Sequence, residues 1–465
     1  MTAVIPERLQ GLVEETADLA ARFAARGFRL YLVGGVVRDA IVGRLDGASD
    51  LDLTTDARPD DIQAIVAGWA DAVWTQGAAF GTIGFRKGDR DFEVTTHRAE
   101  AYTPESRKPS VEFADAVDAD LSRRDFTVNA MALELTVESP TLVDPFDGVA
   151  DLAAHVLRTP LSPEESFTDD PLRMLRAARF IAGYGLAPRP EVRDAVVALR
   201  DRLEIVSPER VRAELDRLLV VERPGPGLWF LVETGLAAEF LPELPALALE
   251  QDPIHRHKDV LAHTIAVIEK ASPDRILRLA ALFHDVGKPK TRSIGAGGVS
   301  FHHHEMVGAR MTRDRMRALH YSNDDIDAVS RLVELHLRFH GYSADVWTDS
   351  AVRRYVRDAG PLLDLLNELT RCDCTTRNER RARDLNLRMD ELEAQIAVLR
   401  EQEELDAIRP DLDGTQVMEQ LDIKPGPLVG EAMRYLLELR LEEGQLGEAE
   451  ARRRLDEWWA TRPPS

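Results

Sequence analysis

Residues 47–57 have the sequence GASDLDLTTDA, and this stretch decides how the first part of the chain folds. Asp50 and Asp52 flank Leu51, an alternation typical of a β-strand. Because successive side chains of a strand point to opposite faces, the two aspartates share one face. Two anions held side by side repel each other, so the pattern indicates a bound cation. The structural alternative is an exposed strand face on which water solvates both carboxylates.

Composition places the chain among ordinary globular proteins. It has 465 residues, of which 44% are hydrophobic and 30% charged, and this length gives room for about three domains. The N-terminal stretch predicts an acidic amphipathic helix rather than a secretory signal, and no long apolar run predicts a membrane span. The two cysteines, Cys372 and Cys374, cannot build a disulfide framework. We therefore expect a cytoplasmic protein without a membrane partner.

The formal net charge is −22, because 81 acidic residues outnumber 59 basic ones. Binding of nucleic-acid phosphates depends on lysine and arginine, so this balance argues against a nucleic-acid partner. Local arginine clusters nevertheless allow a cationic track on an acidic body. The clusters consist of Arg173, Arg176 and Arg179, followed by Arg377, Arg380, Arg381 and Arg383.

Hydrophobic periodicity divides the chain into a mixed first part and a helical remainder. Strands are predicted at 28–33, around Asp50–Leu53 and within 79–98, with helices between them. From about residue 150 onward the pattern predicts amphipathic helices. The predicted fold class is α+β, with a small mixed-sheet head followed by all-helical segments. Proline-containing breaks favour a head, a helical neck, a further helical domain and a helical tail, at residues 1–155, 156–250, 251–400 and 401–465.

A double glycine, Gly34-Gly35, follows the first predicted strand and precedes a helix. Glycines there let the backbone approach phosphates closely, and the helix N-terminus offers N–H groups to an anion. Such a pair is more often only structural. The prediction of a phosphate-binding turn becomes stronger with Asp50 and Asp52 downstream, because paired carboxylates beside phosphate oxygens suit Mg²⁺. Two such ions can activate an attacking hydroxyl and stabilise the leaving oxygen.

A third carboxylate would complete this site. The segment DFEVTTHR offers Asp91 and Glu93 on one face of a predicted strand. The local pattern alone does not decide between them.

Seven motifs occur in a fixed order along the first part of the chain. They are GGVVRD (34–39), DLD (50–52), FEVTTHR (92–98), the Tyr102–Phe113 segment, RRDFTVNAMA (123–132), DPFDGVADL (144–152) and DDPLRMLRAARF (169–180). Together they resemble the motifs of class II tRNA nucleotidyltransferases, the CCA-adding enzymes and their poly(A) polymerase relatives. The resemblance covers residues 28–220 and implies a nucleotidyltransferase head that uses Mg²⁺.

The resemblance also implies roles for particular residues. Asp50 and Asp52 match the catalytic, metal-binding carboxylates, and Glu93, rather than Asp91, matches the third catalytic acid. The nucleotide-binding set implied in this way is Gly34, Gly35, Arg38, Arg124, Asp125, Asn129, Asp170, Arg173, Arg176 and Arg179.

Asp170 and Arg173 lie three residues apart at the start of a predicted helix, and so share one face. Cytosine and adenine each present an amino donor beside a ring-nitrogen acceptor, whereas guanine and uracil present the reverse. A carboxylate beside a guanidinium is complementary to the first pair and leaves polar groups unpaired with the second. We therefore expect Asp170 and Arg173 to select C and A, the role that the resemblance also implies. An ordinary surface ion pair is the structural alternative.

Ten of the twelve histidines lie between residues 255 and 340. Imidazole and carboxylate groups together suit divalent transition metals, although a single buried histidine is more often a core residue. The adjacent pair His284-Asp285 resembles the centre of HD-domain metal-dependent phosphohydrolases, which implies a Mn, Ni or Zn site within 251–400. The implied ligands are His263, His284, Asp285 and Asp373, with His304 and His336 for a second metal.

The predicted function is template-independent addition of CCA to tRNA 3′ ends from CTP and ATP, beside an HD-type phosphohydrolase site. The alternatives are a poly(A) polymerase, an enzyme that adds only CC or only A, and a phosphohydrolase with an inactive head. The Tyr102–Phe113 segment is present in full, which favours CCA addition because CC-only relatives are shortened there. Recognition of the tRNA acceptor arm is expected to rest on A-form shape, phosphates and 2′-hydroxyls.

Overall fold

A computed structural model of the protein describes residues 7–45, 50–98, 113–136, 138–249, 259–295, 298–341, 347–374, 379–403 and 408–462. The chain forms two compact units, residues 1–245 and 246–465. Each unit has its own helices and strands, whose bounds follow. The predicted division into four domains stays a prediction.

The first unit contains nine strands and eleven α-helices among its described residues. They are α1 (Glu7–Ala24), β1 (Leu30–Val33), α2 (Gly35–Val42), β2 (Leu51–Thr55), α3 (Pro59–Val66), β3 (Ala72–Trp74), β4 (Thr82–Lys87), β5 (Arg90–Thr96), α4 (Val117–Ser122), β6 (Ala132–Glu134), β7 (Thr141–Val143), α5 (Gly148–Ala153), β8 (Val156–Leu157), α6 (Pro163–Asp169), α7 (Leu172–Tyr184), β9 (Ala187–Pro188), α8 (Pro190–Leu199), α9 (Pro208–Leu219), α10 (Gly225–Glu233) and α11 (Leu236–Phe240).

The second unit is helical apart from one hairpin, again among its described residues. Its elements are α12 (Val260–Lys270), α13 (Arg275–Phe283), α14 (Lys288–Thr291), β10 (Arg292–Gly295), β11 (Gly298–Phe301), α15 (His304–Ala318), α16 (Asn323–Leu335), α17 (Asp349–Ala359), α18 (Leu363–Asp373), α19 (Glu379–Glu403), α20 (Gly414–Leu421), α21 (Pro427–Glu443) and α22 (Glu448–Ala460).

A seven-stranded sheet organises the head, with the strand order β3-β4-β5-β2-β1-β6-β7. β2 and β5 run parallel, and the other neighbouring strands run antiparallel. The predicted mixed-sheet head is therefore confirmed. The strand that contains the DLD motif is the central strand of this sheet.

The alternation along β2 decides which face of the sheet carries the acidic residues. Leu51 and Leu53 are buried in the larger core of the head, which helices α1, α2 and α3 cover. Burial of each leucine contributes about 1.5–3 kcal/mol, and a slip of one residue would drive Asp52 into this core. Burial of the leucines therefore fixes Asp52 on the opposite, accessible face, where its side chain is exposed.

The neck consists mainly of amphipathic helices. Helix α7 buries Leu172, Met174 and Leu175, and the Ser162 side chain caps α6 by accepting a hydrogen bond from the Glu165 N–H. The expectation of an all-helical neck is wrong in one detail, because β8 and β9 form a short parallel pair. Strands of two residues carry no periodicity that a sequence pattern could reveal.

The second unit departs from the all-helical expectation at the antiparallel hairpin β10–β11. Its last three helices have a core of their own, formed by Leu412, Val417, Ala432, Leu436, Ala451 and Leu455. No helix in the described ranges has the length and apolar composition that crossing a lipid bilayer requires.

Candidate active site

Asp52 and Glu93 are neighbours at the centre of the head, and the charge of Asp50 acts on both. The parallel register of β2 and β5 sets Asp52 beside Glu93, and Asp50 precedes β2 by one residue. Desolvation in the cleft raises the pKa of Asp52. The positive charge of Arg124 lowers this pKa, and the negative charge of Asp50 raises it. Desolvation likewise raises the pKa of Glu93, with the charges of Asp52 and Asp50 adding to the effect. A cluster whose charges oppose each other's ionisation suits a divalent cation.

The sequence left Asp91 and Glu93 as alternatives for the third acid, with the resemblance favouring Glu93. The Asp91 carboxylate forms an ion pair with the guanidinium of Arg86, with N–O distances of 2.6 and 2.7 Å. Glu93 instead lines the same cavity as Asp52. This geometry supports Glu93 as the residue that joins Asp52.

The carboxylates open into a cavity of about 420 Å³, a size that accommodates a small-molecule ligand. Its lining contains three acidic and four arginine side chains. The lining residues are Val33, Asp52, Leu53, Phe80, Glu93, Thr95, Arg98, Asp120, Arg123, Arg124 and Arg173. Such an arrangement can hold cations between carboxylates and a polyphosphate, which the arginines would also contact.

The double glycine brings the backbone close to one of these arginines. Gly34 has φ +72°, and a Cβ at this position would lie 2.8 Å from Nη1 of Arg124. Gly35 begins helix α2. Arg124 donates from Nη2 to Asp120 at 3.0 Å, which holds its guanidinium at the cavity wall. The turn and the arginine therefore lie side by side, and their contact with a phosphate stays a prediction.

Arg38 is not among the residues that line this cavity, and its nucleotide-binding role stays a prediction. Its buried guanidinium donates to Asp39 at 2.8 and 2.9 Å, to the Tyr184 hydroxyl at 2.5 Å and to Asn129 Oδ1. A charge so enclosed needs its partners inside the protein. Arg38 therefore joins helix α2 of the head to helix α7 of the neck.

A second network surrounds Asp125, which is also buried. Arg176 donates to Asp125 from Nε at 2.7 Å, and Arg179 donates to the buried Glu214 at 2.7 Å. Burial opposes ionisation of Asp125, but Arg176 and a hydrogen bond from Asn129 outweigh it and lower the pKa of Asp125 to about 2. These side chains connect head and neck, and their contacts with a nucleotide stay predictions.

Asp170 and Arg173, the predicted base-reading pair, lie at the junction of α6 and α7. The two side chains point to different partners. Asp170 Oδ2 accepts a hydrogen bond from Arg210 at 2.8 Å, and Arg173 donates to Ser166 Oγ at 2.9 Å. The predicted helix start is confirmed, and Asp170 Oδ1 accepts from the N–H of Leu172 at 3.1 Å.

The predicted histidine and aspartate ligands converge in the second unit. They come from the first turn of α12, from the residues that follow α13 and α16, from the first residue of α15 and from the last residue of α18. Their ligand atoms form two groups, each spanning at most 4.8 Å. One group is His263, His284 and Asp373, and the other is Asp285, His304 and His336.

Asp285 connects the two groups. Its Oδ2 lies 3.3 Å from Nε2 of His284, and its Oδ1 lies 3.4 Å from Nε2 of His304. In the first group, Nε2 of His263 lies 2.9 Å from Oδ1 of Asp373. A carboxylate with one oxygen toward each group is the arrangement that a pair of metal ions shares.

Three of the imidazoles are oriented by backbone carbonyls. Nδ1 of His284, His304 and His336 lies 2.7, 2.8 and 2.6 Å from the carbonyl oxygen three residues earlier. A carbonyl can only accept, so Nδ1 carries a proton in each ring, and Nε2 is the nitrogen that could bind a metal ion in place of a proton. Nε2 of His336 is buried, and no residue in the described part of the chain forms a hydrogen bond with it. These donors fit divalent transition metals.

Charge in this cluster is unevenly distributed. Burial opposes protonation of His284, but Asp285 and Asp373 outweigh it and raise its pKa to about 10. Burial and the charge of His284 lower the pKa of His336 to about 3. Burial opposes ionisation of Asp285, yet its pKa lies well below the ordinary value because His284, His304 and Lys288 surround it.

Several residues that line these sites have no role predicted from the sequence. Arg98 and Arg123 lie within the quoted motifs FEVTTHR and RRDFTVNAMA but received no role, whereas Asp120 lies in no motif. In the second unit, Lys288 Nζ lies 2.6 Å from Oδ2 of Asp285, and its position after Asp285 and Gly287 could have indicated it. Residues 102–112 and Arg377, named above, lie outside the described residues.

Comparison with known families matches three parts of the chain. Residues 30–158 match the "Poly A polymerase head domain", residues 185–247 match the "Probable RNA and SrmB- binding site of polymerase A", and residues 260–397 match the "HD domain". These features define a nucleotidyltransferase head followed by an RNA-binding region and an HD domain.

Among curated proteins, the chain is 36% identical over 363 residues to the A-adding tRNA nucleotidyltransferase of Deinococcus radiodurans, covering 75% of this chain and 80% of that protein. It is 36% identical over 232 residues to the CCA-adding enzyme of Geobacillus stearothermophilus. That second alignment covers 50% of this chain and 55% of the relative, so the chain spans about half the length of the CCA-adding relatives it matches. The chain therefore belongs to the class II tRNA nucleotidyltransferases, and it carries an HD domain.

The fold agrees with solved structures of this family. The chain resembles the Bacillus stearothermophilus CCA-adding enzyme in complex with CTP, with a TM-score of 0.72 and 24% identity over 98% of this chain and 99% of that one. At this level of identity the likeness concerns the fold.

Proposed function

We propose that this chain adds the nucleotides C, C and A to the 3′ end of tRNA, using CTP and ATP. The observation that carries the proposal is the cavity in which Asp52 and Glu93 face Arg124 and Arg173. The carboxylates of this cavity suit metal ions, its arginines suit a triphosphate, and Arg173 belongs to the pair predicted to select the base. The two free cysteines and the tRNA substrate support a cytoplasmic location.

Asp50, Asp52 and Glu93 would hold Mg²⁺, which would neutralise the triphosphate and activate the tRNA 3′-hydroxyl. The hydroxyl oxygen would lose its proton and bond to the α-phosphorus, and the bond from this phosphorus to the β-phosphate oxygen would break to release pyrophosphate. The chain itself supplies orientation. Arg124 would contact the triphosphate near the Gly34 turn. The Asp170 carboxylate would accept a hydrogen bond from the amino group of C or A, and the Arg173 guanidinium would donate one to the ring nitrogen. Catalysis of this kind depends on positioning and charge neutralisation.

Addition of A alone is the second candidate within this family. It is favoured by the relative from Deinococcus radiodurans, whose alignment covers more of the chain than that of the CCA-adding relative quoted above. An A-adding enzyme would extend only a tRNA that already ends in CC. The base-reading pair is complementary to both C and A, which supports the full CCA reaction.

Incubation of the purified chain with tRNA that lacks its CCA end, labelled CTP and Mg²⁺ tests the catalytic proposal. Wild-type protein should incorporate label, and Asp52→Ala should lower incorporation by about 10³-fold or more, since loss of several kcal/mol of charge stabilisation has this effect. Circular dichroism would verify that the variant is folded. Substantial residual incorporation by folded Asp52→Ala in Mg²⁺ would contradict the role of this carboxylate.

We further propose that the HD domain binds two divalent metal ions and hydrolyses phosphate esters. His263, His284 and Asp373 would hold one ion, His304 and His336 the other, and Asp285 both. The unpartnered Nε2 of the buried His336 supports this assignment. Bound metal ions would supply an activated water and polarise the phosphoryl group.

Metal analysis and a hydrolysis assay test the second proposal separately. After incubation with Mn²⁺ or Ni²⁺ and removal of excess ions, about two ions should remain per chain, and p-nitrophenyl phosphate or bis-p-nitrophenyl phosphate should be cleaved. His336→Ala should lower the metal content. Wild-type protein that retains no metal would contradict the proposal.

A further inference from the structure

Arg210 lies outside the predicted base-reading pair but directly contacts it. It is in the first turn of helix α9, and its Nη2 lies 2.8 Å from Oδ2 of Asp170. The arginine side chain is 53% exposed and the aspartate side chain 23% exposed. A solvent-exposed pair of this kind contributes little to stability, so its effect on the position of the Asp170 carboxylate matters more.

Both base-reading side chains are held by residues outside the pair. The other Asp170 oxygen accepts from the N–H of Leu172 at 3.1 Å. Arg173 donates to Ser166 Oγ at 2.9 Å and to the Arg123 carbonyl oxygen at 2.5 Å. The distance between the carboxylate and the guanidinium is therefore set by three separate segments, which are α9, α6 and the RRD motif of the head.

Asp170 precedes helix α7, and the N–H of Arg173 donates to its carbonyl oxygen at 3.0 Å, so the two residues are close enough for their side chains to form an ion pair. If Asp170 and Arg173 formed an ion pair with each other, their acceptor and donor groups would no longer be free to form hydrogen bonds with C or A. Arg210 competes with Arg173 for the carboxylate, and its hydrogen bond orients the Asp170 side chain. A carboxylate has room for further hydrogen bonds beside the two it makes here, so Asp170 can still accept from a base.

We infer that Arg210 is a positioning residue for base selection: it keeps the Asp170 carboxylate apart from Arg173 and available to the amino group of C or A. The inference rests on the proposed nucleotidyl transfer to tRNA. It assigns to Arg210 an effect on the choice of nucleotide, which a purely structural ion pair would not have.

The test compares kcat/KM for CTP, ATP, UTP and GTP in Arg210→Met, which keeps the aliphatic stem and removes the charge. The ratio of correct to incorrect nucleotide should fall by about tenfold or more, because the hydrogen bonds that reject U and G lose their fixed geometry. The nucleotide ratio of Arg210→Lys should lie between those of Arg210→Met and wild type, since lysine keeps the positive charge but lacks the planar guanidinium. Arg193→Met is the matched control, because Arg193 forms a similarly exposed 2.8 Å pair with Glu233.

A double-mutant cycle separates action through Asp170 from other effects. In an Asp170→Ala background, Arg210→Met should not change the nucleotide ratio further, because residues that act through one contact are non-additive. A wild-type ratio in folded Arg210→Met, or an equal loss in the Asp170→Ala background, would overturn the inference. Absence of incorporation by the wild-type chain would instead contradict the proposed function on which it rests.

Discussion

Glu93 and Asp91 lie two residues apart on β5, and their partners differ. Glu93 is beside Asp52 in the register of the two parallel strands, while Asp91 is held by Arg86. We expect Glu93→Gln to lower nucleotide incorporation by about 10²-fold or more, since it removes one negative charge from the proposed metal site. Steady-state incorporation of CMP into tRNA in Mg²⁺ measures the effect.

Asp91→Asn is the matched control for this experiment. It removes a carboxylate from the same strand but leaves the proposed site intact, so incorporation should remain at the wild-type rate. Equal losses in both variants, or a loss confined to Asp91→Asn, would contradict the assignment of Glu93.

Arg173→Ala tests base selection directly. Loss of the guanidinium removes the donor for the ring nitrogen of C and A, so discrimination against U and G, expected at roughly 10⁴-fold, should fall by about 10²-fold. Competition among the four nucleotides, followed by sequencing of the extended tRNA, measures the ratio. Unchanged selectivity in an active Arg173→Ala variant would refute the role of this residue.

The candidate residues could be predicted from the sequence where spacing or resemblance defined them. Asp52 follows from strand alternation, and Glu93 follows from the resemblance to a known motif. Arg38 was assigned to the nucleotide, yet its charge is enclosed by Asp39, Asn129 and Tyr184. Because Tyr184 is distant in sequence, no local pattern could have shown that this arginine joins head and neck.

Gly287 packs closely against the start of helix α15, which carries the predicted metal ligand His304. A Cβ on this residue would lie 2.1 Å from the carbonyl oxygen of His304, which begins helix α15. We expect Gly287→Ala to displace α15 and destabilise the protein by about 3 kcal/mol or more, at the upper end of the usual cost of overpacking. Denaturant unfolding measures the stability, and metal content after loading with Mn²⁺ should fall in parallel.

Gly430→Ala is the control within the same unit. No atom lies within 4 Å of a Cβ at Gly430, which is inside helix α21. Alanine in a helix interior is favoured over glycine by about 0.5–1 kcal/mol, so this variant should be as stable as wild type or slightly more stable. If Gly287→Ala behaved like Gly430→Ala, the close packing between Gly287 and α15 would be refuted.

Long periodic elements were predicted well, and short ones were not. The helix at α1, the strands β1, β2, β4 and β5, and the helices α7 and α9 have clear apolar periods, and all are present. Strands β3, β6 and β7 have three residues each, and the hairpin β10–β11 lies inside a helical domain. These strands exist because neighbouring strands supply their hydrogen bonds, a tertiary effect that local sequence does not encode.

The molecule contains two compact units, and each holds one proposed site. We therefore expect Asp373→Asn to lower Mn²⁺ or Ni²⁺ binding and phosphate-ester hydrolysis while nucleotide incorporation stays at the wild-type rate. Metal analysis and the two activity assays on one preparation measure this. Loss of incorporation in folded Asp373→Asn would contradict the independence of the two sites.

Extension of a tail-less tRNA, resolved to single nucleotides on a gel, tests the proposed function of the whole molecule most directly. Reactions contain CTP, ATP or both, and a parallel set starts from tRNA ending in CC. The proposal predicts a stop after two additions with CTP alone and after three with both nucleotides. No extension of tail-less tRNA, together with one addition of A to the CC-ending tRNA, would identify an A-adding enzyme instead, and a ladder of many additions with ATP would identify a poly(A) polymerase.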